Sequence, residues 1–341
     1  MARRATITSL AAAVLALGAL GCGESDRESR ADDRPTLFLA GDGEMWVVNP
    51  IDETSQRIRL PELSPGDPPH KVVVRGDRLV FWGSNTAWAA DADSPQRPLD
   101  AISKEAWIWI PSAHPSRIWI GSLDPVHGGP RSRALGAVRE IDANGTTTFG
   151  DVKPPEGAWP ALALDSGLVF TPPEGIELWD PRTQNVVRRL SNSAIGDLGP
   201  AHDDLVASCT ANCRRLILTD FPTGIQDRIV APDDQAFEVW NAAFSPSGDQ
   251  LAVPVRELKS GWPAPRRLAL IDLSAHLVSV VEGSEVDGGY TFVVWSKQGD
   301  EVFMTGGERF ERREIVGYQI GASTARAIDV KVGDFYDAAA R

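Results

Sequence analysis

The chain has 341 residues, a formal net charge of −13, 42% apolar and 24% charged residues. The acidic balance argues against nucleic acid as a partner, and the apolar share is that of an ordinary globular chain, not a membrane-embedded bundle. Gly and Pro supply 31 and 25 residues, a density that helices rarely tolerate and that all-β chains use for turns.

The chain opens with a short basic segment, Met1-Ala2-Arg3-Arg4, and runs from Ala5 to Leu20 without a charge. That run is short for a bilayer span, which takes about 20 residues, and it fits the apolar core of a secretory signal. It ends in Ala19-Leu20-Gly21-Cys22, which resembles a bacterial lipobox, with Ala19 where Leu is usual. The resemblance implies cleavage before Cys22 and acylation of its thiol. The chain would then be exported and lipid-anchored, on the outer side of the cytoplasmic membrane or in the outer membrane. We expect a signal peptide over 1–21 and a disordered tether over 22–35. Residues 23–35 hold no aliphatic side chain larger than Ala and cannot order themselves by burial. Losing Arg3 and Arg4 leaves a charge of −15.

From residue 36 the chain repeats. A short apolar run ending in Asp or Asn recurs at Asn49, Asp91, Asp142, Asp180, Asp220 and Asp272, with a weaker seventh copy at Val316–Gly321. The steps of about 40–50 residues match one propeller blade. Each copy has two further strands upstream, clearest in Val239–Ser245 and Gln250–Val255 around the turn Pro246-Ser247-Gly248-Asp249. The unit reads as four strands: an inner a, then b, c ending at the Asp, and an outer d. The stretch FSPSGDQLAV followed by LALIDL resembles the WD40-like repeats of TolB-type β-propellers. That resemblance implies the fold and suggests protein binding, and it transfers no catalytic residue. We therefore expect an all-β chain, a seven-bladed propeller of four-stranded blades over 36–341. The first copy begins at strand b, so Phe335–Ala338 should supply the inner strand of blade one and close the ring.

Lipidation of Cys22 leaves Cys209 and Cys213 as an even pair. A metal would need two further ligands, and no His lies within six residues of either Cys, so we expect a disulfide across a three-residue hairpin loop with Asn212 left-handed. The five histidines fall in different repeats at no ligand spacing. The repeat Asp residues read as turn formers. No catalytic residue, metal or cofactor is assigned.

Two function classes remain. One is a lipid-anchored scaffold that binds a protein or small ligand, expected to be a monomer. The other is a propeller enzyme, lactonase- or quinoprotein-like, using the central channel. Aligning strand a of each copy places His70, Trp107, Trp159, Trp240 and Tyr290 at the channel mouth, an aromatic set that favours binding. The b–c connections of blades three, six and seven read as long, over 123–139, 255–267 and 306–314, with net charges of +2, +3 and 0. They share a face with the d–a loops. Arg131, Arg133, Lys259, Arg266 and Arg267 are expected to steer an acidic partner onto that face.

Overall fold

The computed structural model describes residues 34–341 apart from 42–43, 60–70, 84–85, 94, 96–99, 105, 124–134, 156–158, 172–174, 192–196, 211, 260–263, 290, 308–312 and 334. The expected signal peptide, Cys22, His70, Arg131, Arg133 and Tyr290 lie outside the described residues. Within them no helix is long and apolar enough to cross a membrane.

Seven antiparallel sheets follow one another along the chain, each with strands a to d in order except the first, whose strand a comes from the end of the chain. The reason they form blades is visible in their burial. Strand c of blade four, Gly175–Asp180, is buried at every position but its last. A strand sandwiched between two other sheets hides both faces, so burial runs along it without alternation, and its one buried charge, Glu177, is paired with Arg189 on the neighbouring strand. Strand d of blade three, Thr147–Val152, is polar and largely exposed because it forms the outer rim. Seven clusters of buried side chains fill the seven junctions between adjacent blades, including that between blades seven and one.

Closure follows the expectation and extends it. Phe335–Ala340 pairs antiparallel with Leu37–Gly41, so the last strand of the chain is the inner strand of the first blade. Thr36 and Arg341 exchange backbone hydrogen bonds of 3.1 and 3.0 Å just beyond the pairing. Phe335 is fully buried, with the Arg313 guanidinium 5.1 Å from its ring centre.

The repeat carboxylates are turn formers throughout. The side-chain oxygens of Asn49, Asp91, Asp142, Asp180, Asp220 and Asp272 each accept a backbone N–H two or three residues on, at 2.8–3.0 Å. Each thus shapes its c–d turn. The a–b turns of blades six and seven match in detail: Ser245 donates to Asp249 at 2.9 Å, Ser296 donates to Asp300 at 2.7 Å, and Gly248 and Gly299 take φ of +75° and +72°.

Three expectations need correction. The inner strand of blade six is not one strand over 239–245. It is two pieces, Gln235–Phe237 and Ala243–Phe244, separated by a 3-10 turn over Val239–Asn241. The b–c connections of blades three and six are shorter than expected, because strand c starts at Leu135 and Arg266 and strand b of blade six runs on to Glu257. In the cysteine loop the left-handed residue is Cys213, with φ of +46°, not Asn212.

Candidate binding face

The antiparallel order of the blades puts all b–c and d–a connections on one face, and the innermost strands line the ring's central axis. Two exposed tryptophans lie next to those strands. Trp107 directly precedes strand a of blade three and donates its backbone N–H to the Gly121 carbonyl at 2.8 Å, yet its residue surface is 44% exposed. Trp240 sits in the 3-10 turn of blade six and is 57% exposed. That turn interrupts the inner strand between Phe237 and Ala243. Trp240 is therefore part-way along the strand rather than at its start. Trp159 precedes strand a of blade four and is half-buried. Tryptophan is among the residues enriched at the energetic centres of protein interfaces.

The basic residues expected on this face divide sharply. Arg266 is 2% exposed and cannot steer anything. It lies on strand c opposite Arg256, and its guanidinium donates to both carboxylate oxygens of Glu238 at 2.9–3.2 Å. Arg256 approaches the same carboxylate at 3.5 Å. A buried charge must be paired or it destabilises the fold, and here a single carboxylate serves two guanidiniums. Arg267 is on strand c and half-buried. Lys259 is exposed, with Asp234 3.4 Å from its ammonium. Arg139, counted with the blade-three loop, is on strand c beside Asp151 at 3.7 Å. Of the expected set, Trp107 is exposed beside the start of its strand and Trp240 is exposed part-way along its own, while Arg266 is buried and Lys259 and Arg139 lie beside carboxylates.

The b–c loop of blade five carries the Cys209–Cys213 disulfide, with Cα atoms 4.9 Å apart. Cys209 does not face Cys213 across the hairpin. It pairs with Leu216 on one side and with Asp197 on the other. Sequence reasoning missed Asp197, whose carboxylate lies 4.0 Å from the Cys213 sulfur. Its position on strand a, twelve residues upstream, gives no sequence signal until the strand register is known.

A polar cavity of about 180 Å³ opens on the opposite face, between blades three and four, lined by Ser112, His114, Glu140, Trp119, Asp165 and Arg182 among others. Glu140 is buried and already engaged by Ser112 at 2.6 Å, Thr148 at 2.9 Å and Arg117 at 3.2 Å. Partial burial, with Asp203 and Asp204 nearby, raises the Asp165 carboxyl above the usual range.

No known family and no curated protein matches the chain in sequence. Its structure is similar to apo AztD from Citrobacter koseri, with a TM-score of 0.52 and 13% identity over 90% of this chain and 98% of that one. It is similar to a chain of the mitotic checkpoint complex, with a TM-score of 0.50 and 14% identity over 79% and 81%. TolB from Acinetobacter baumannii matches with a TM-score of 0.49 and 12% identity over 90% and 66%. At these identities the likeness is one of fold. The chain is a seven-bladed β-propeller, similar in fold to AztD and to a chain of the mitotic checkpoint complex.

Proposed function

We propose that the chain is a lipid-anchored binding module of the cell envelope, held by Cys22 and engaging a protein partner through the b–c/d–a face. The observation that carries the binding half is the pair of exposed tryptophans, Trp107 just before the inner strand of blade three and Trp240 in the turn that interrupts the inner strand of blade six, in a closed ring. A propeller presents such groups on a scaffold that does not deform, so little ordering cost opposes binding. Propellers of this fold sit in multi-protein assemblies, the mitotic checkpoint complex among them. The anchoring half is supported by the basic and apolar N-terminal run ending at Cys22.

Two measurements test the proposal. Cys22→Ser should move the protein from the detergent-rich to the aqueous phase in a phase-partition assay. Trp107→Ala combined with Trp240→Ala should remove the partner from crosslinked membrane preparations with thermal unfolding unchanged. A wild type that is already aqueous sinks the anchor, and a double variant that keeps its partner sinks the face. Metal and cofactor analysis of the purified protein tests the enzymatic alternative.

A further inference from the structure

We infer that Asp197, Cys209 and Cys213 form a redox-gated site for a soft divalent cation, closed when the cysteines are oxidised and open when they are reduced. The donor atoms of the three residues lie within 4.8 Å of one another. They come from two adjacent strands and one loop, and the register fixes them: Asp197 pairs with Cys209 on strands a and b, while the left-handed turn at Cys213 brings its sulfur back toward the same point. The two cysteines are buried and Asp197 is exposed, so the cluster has one solvent side where a fourth ligand, water, can sit.

The chemistry of the donors points to a cation. Among the described residues the Asp197 carboxylate has no hydrogen-bond or ion-pair partner nearer than the Cys213 sulfur at 4.0 Å, and a carboxylate gains nothing from a disulfide sulfur. Reduction changes that. A dithiol reductant gives two electrons and two protons to the bond, leaving two cysteine thiols and its own disulfide. Each thiol must lose its proton to become a ligand, and two thiolates beside a carboxylate would repel one another. A divalent cation removes that repulsion: it displaces two protons and joins two sulfurs and one oxygen. Two thiolates and one carboxylate suit zinc, in tetrahedral geometry with water completing the site. Metal–sulfur bonds of about 2.3 Å need the sulfurs about 3.8 Å apart, which cysteines with Cα atoms 4.9 Å apart reach by side-chain rotation. Two of these ligands are close in the chain, and the third comes beside them only through the sheet register.

The test is a cobalt titration of the full-length protein, reduced and then freed of reductant under anaerobic conditions. Expected is one Co²⁺ per chain with thiolate-to-cobalt charge-transfer absorption, competed away by Zn²⁺ and absent from the oxidised protein. Asp197→Asn, which preserves shape, should weaken binding at least about tenfold and alter the visible d–d bands. Reduced protein that keeps its β-sheet circular dichroism without that absorption overturns the inference. So does Asp197→Asn that binds like wild type, and so does loss of the fold on reduction, since no site then exists.

Discussion

The carboxylate of Asp337, four residues from the end of the chain, accepts a 2.7 Å hydrogen bond from the backbone N–H of Val72. Asp337 lies on the inner strand of blade one and Val72 on the inner strand of blade two, so this contact crosses from the closing strand to the next blade. Burial pushes the Asp337 carboxyl up to about 6, against the opposing pull of the Val72 bond and Lys71. The folded value lies above the unfolded one, so the folded ring holds this proton more tightly. The resulting stability is complete below about pH 4 and is lost as pH rises through about 6.

Asp337→Asn keeps an oxygen for Val72 and removes the charge. It should stabilise the ring at pH 7.5 by at most about 3 kcal/mol and have little effect at pH 4. Urea unfolding of both proteins at the two pH values reads the difference directly. An equal effect at both pH values would show that the carboxylate is not the titrating group.

The turn carboxylates act in the opposite sense. The Arg182 N–H, with Thr183, holds the Asp180 carboxyl below the usual range, and the Thr223 hydroxyl and N–H do the same for Asp220. Their stabilisation is present above about pH 4 and lost as pH falls through the folded values. Asp180→Ala or Asp220→Ala should each cost about 1 kcal/mol at neutral pH, the net value of an exposed turn's hydrogen bonds. No change in the urea midpoint would show that these turns form without the side chain.

The Arg266–Glu238 pair is structural. Arg266→Ala should destabilise the protein by about 3–5 kcal/mol, because Glu238 then keeps only the more distant Arg256. Lys259→Ala, at an exposed pair, should cost less than about 1 kcal/mol. Similar urea midpoints for the two variants would contradict the assignment of Arg266 to the core.

Deleting residues 335–341 removes Phe335 from the junction of blades seven and one and bares the edge of Leu37–Gly41. The protein should lose its cooperative thermal transition or shift it down by more than about 10 °C. An unchanged transition would mean the ring does not need its closing strand.

What the sequence disclosed follows from how local the physics is. Strand c and its turn are written within ten residues, as in Leu268–Asp272 followed by Leu273-Ser274-Ala275, and every copy forms as the pattern implies. Closure was legible because the first copy lacks a strand and the last leaves one over. The 3-10 turn at Val239–Asn241 was not, since no Gly or Pro breaks residues 235–245 and only the separate pairings of Phe237 with Val255 and Ala243 with Ala252 show the interruption. Arg266 looked like a surface charge because its partner, Glu238, lies 28 positions away on another strand. Asp197 was invisible as a neighbour of the cysteines for the same reason.

The claim that matters most is that the tryptophan-bearing axis of the b–c/d–a face is where a partner docks. The direct measurement is site-specific photo-crosslinking in intact cells, with a photoreactive residue replacing Trp107 or Trp240 in turn. Val187, 52% exposed on the outer strand of blade four, is the control position. We predict one discrete adduct of the same mass increment from positions 107 and 240 and none from 187. An adduct from 187 with none from 107 and 240 would place the partner on the outer rim and contradict the account.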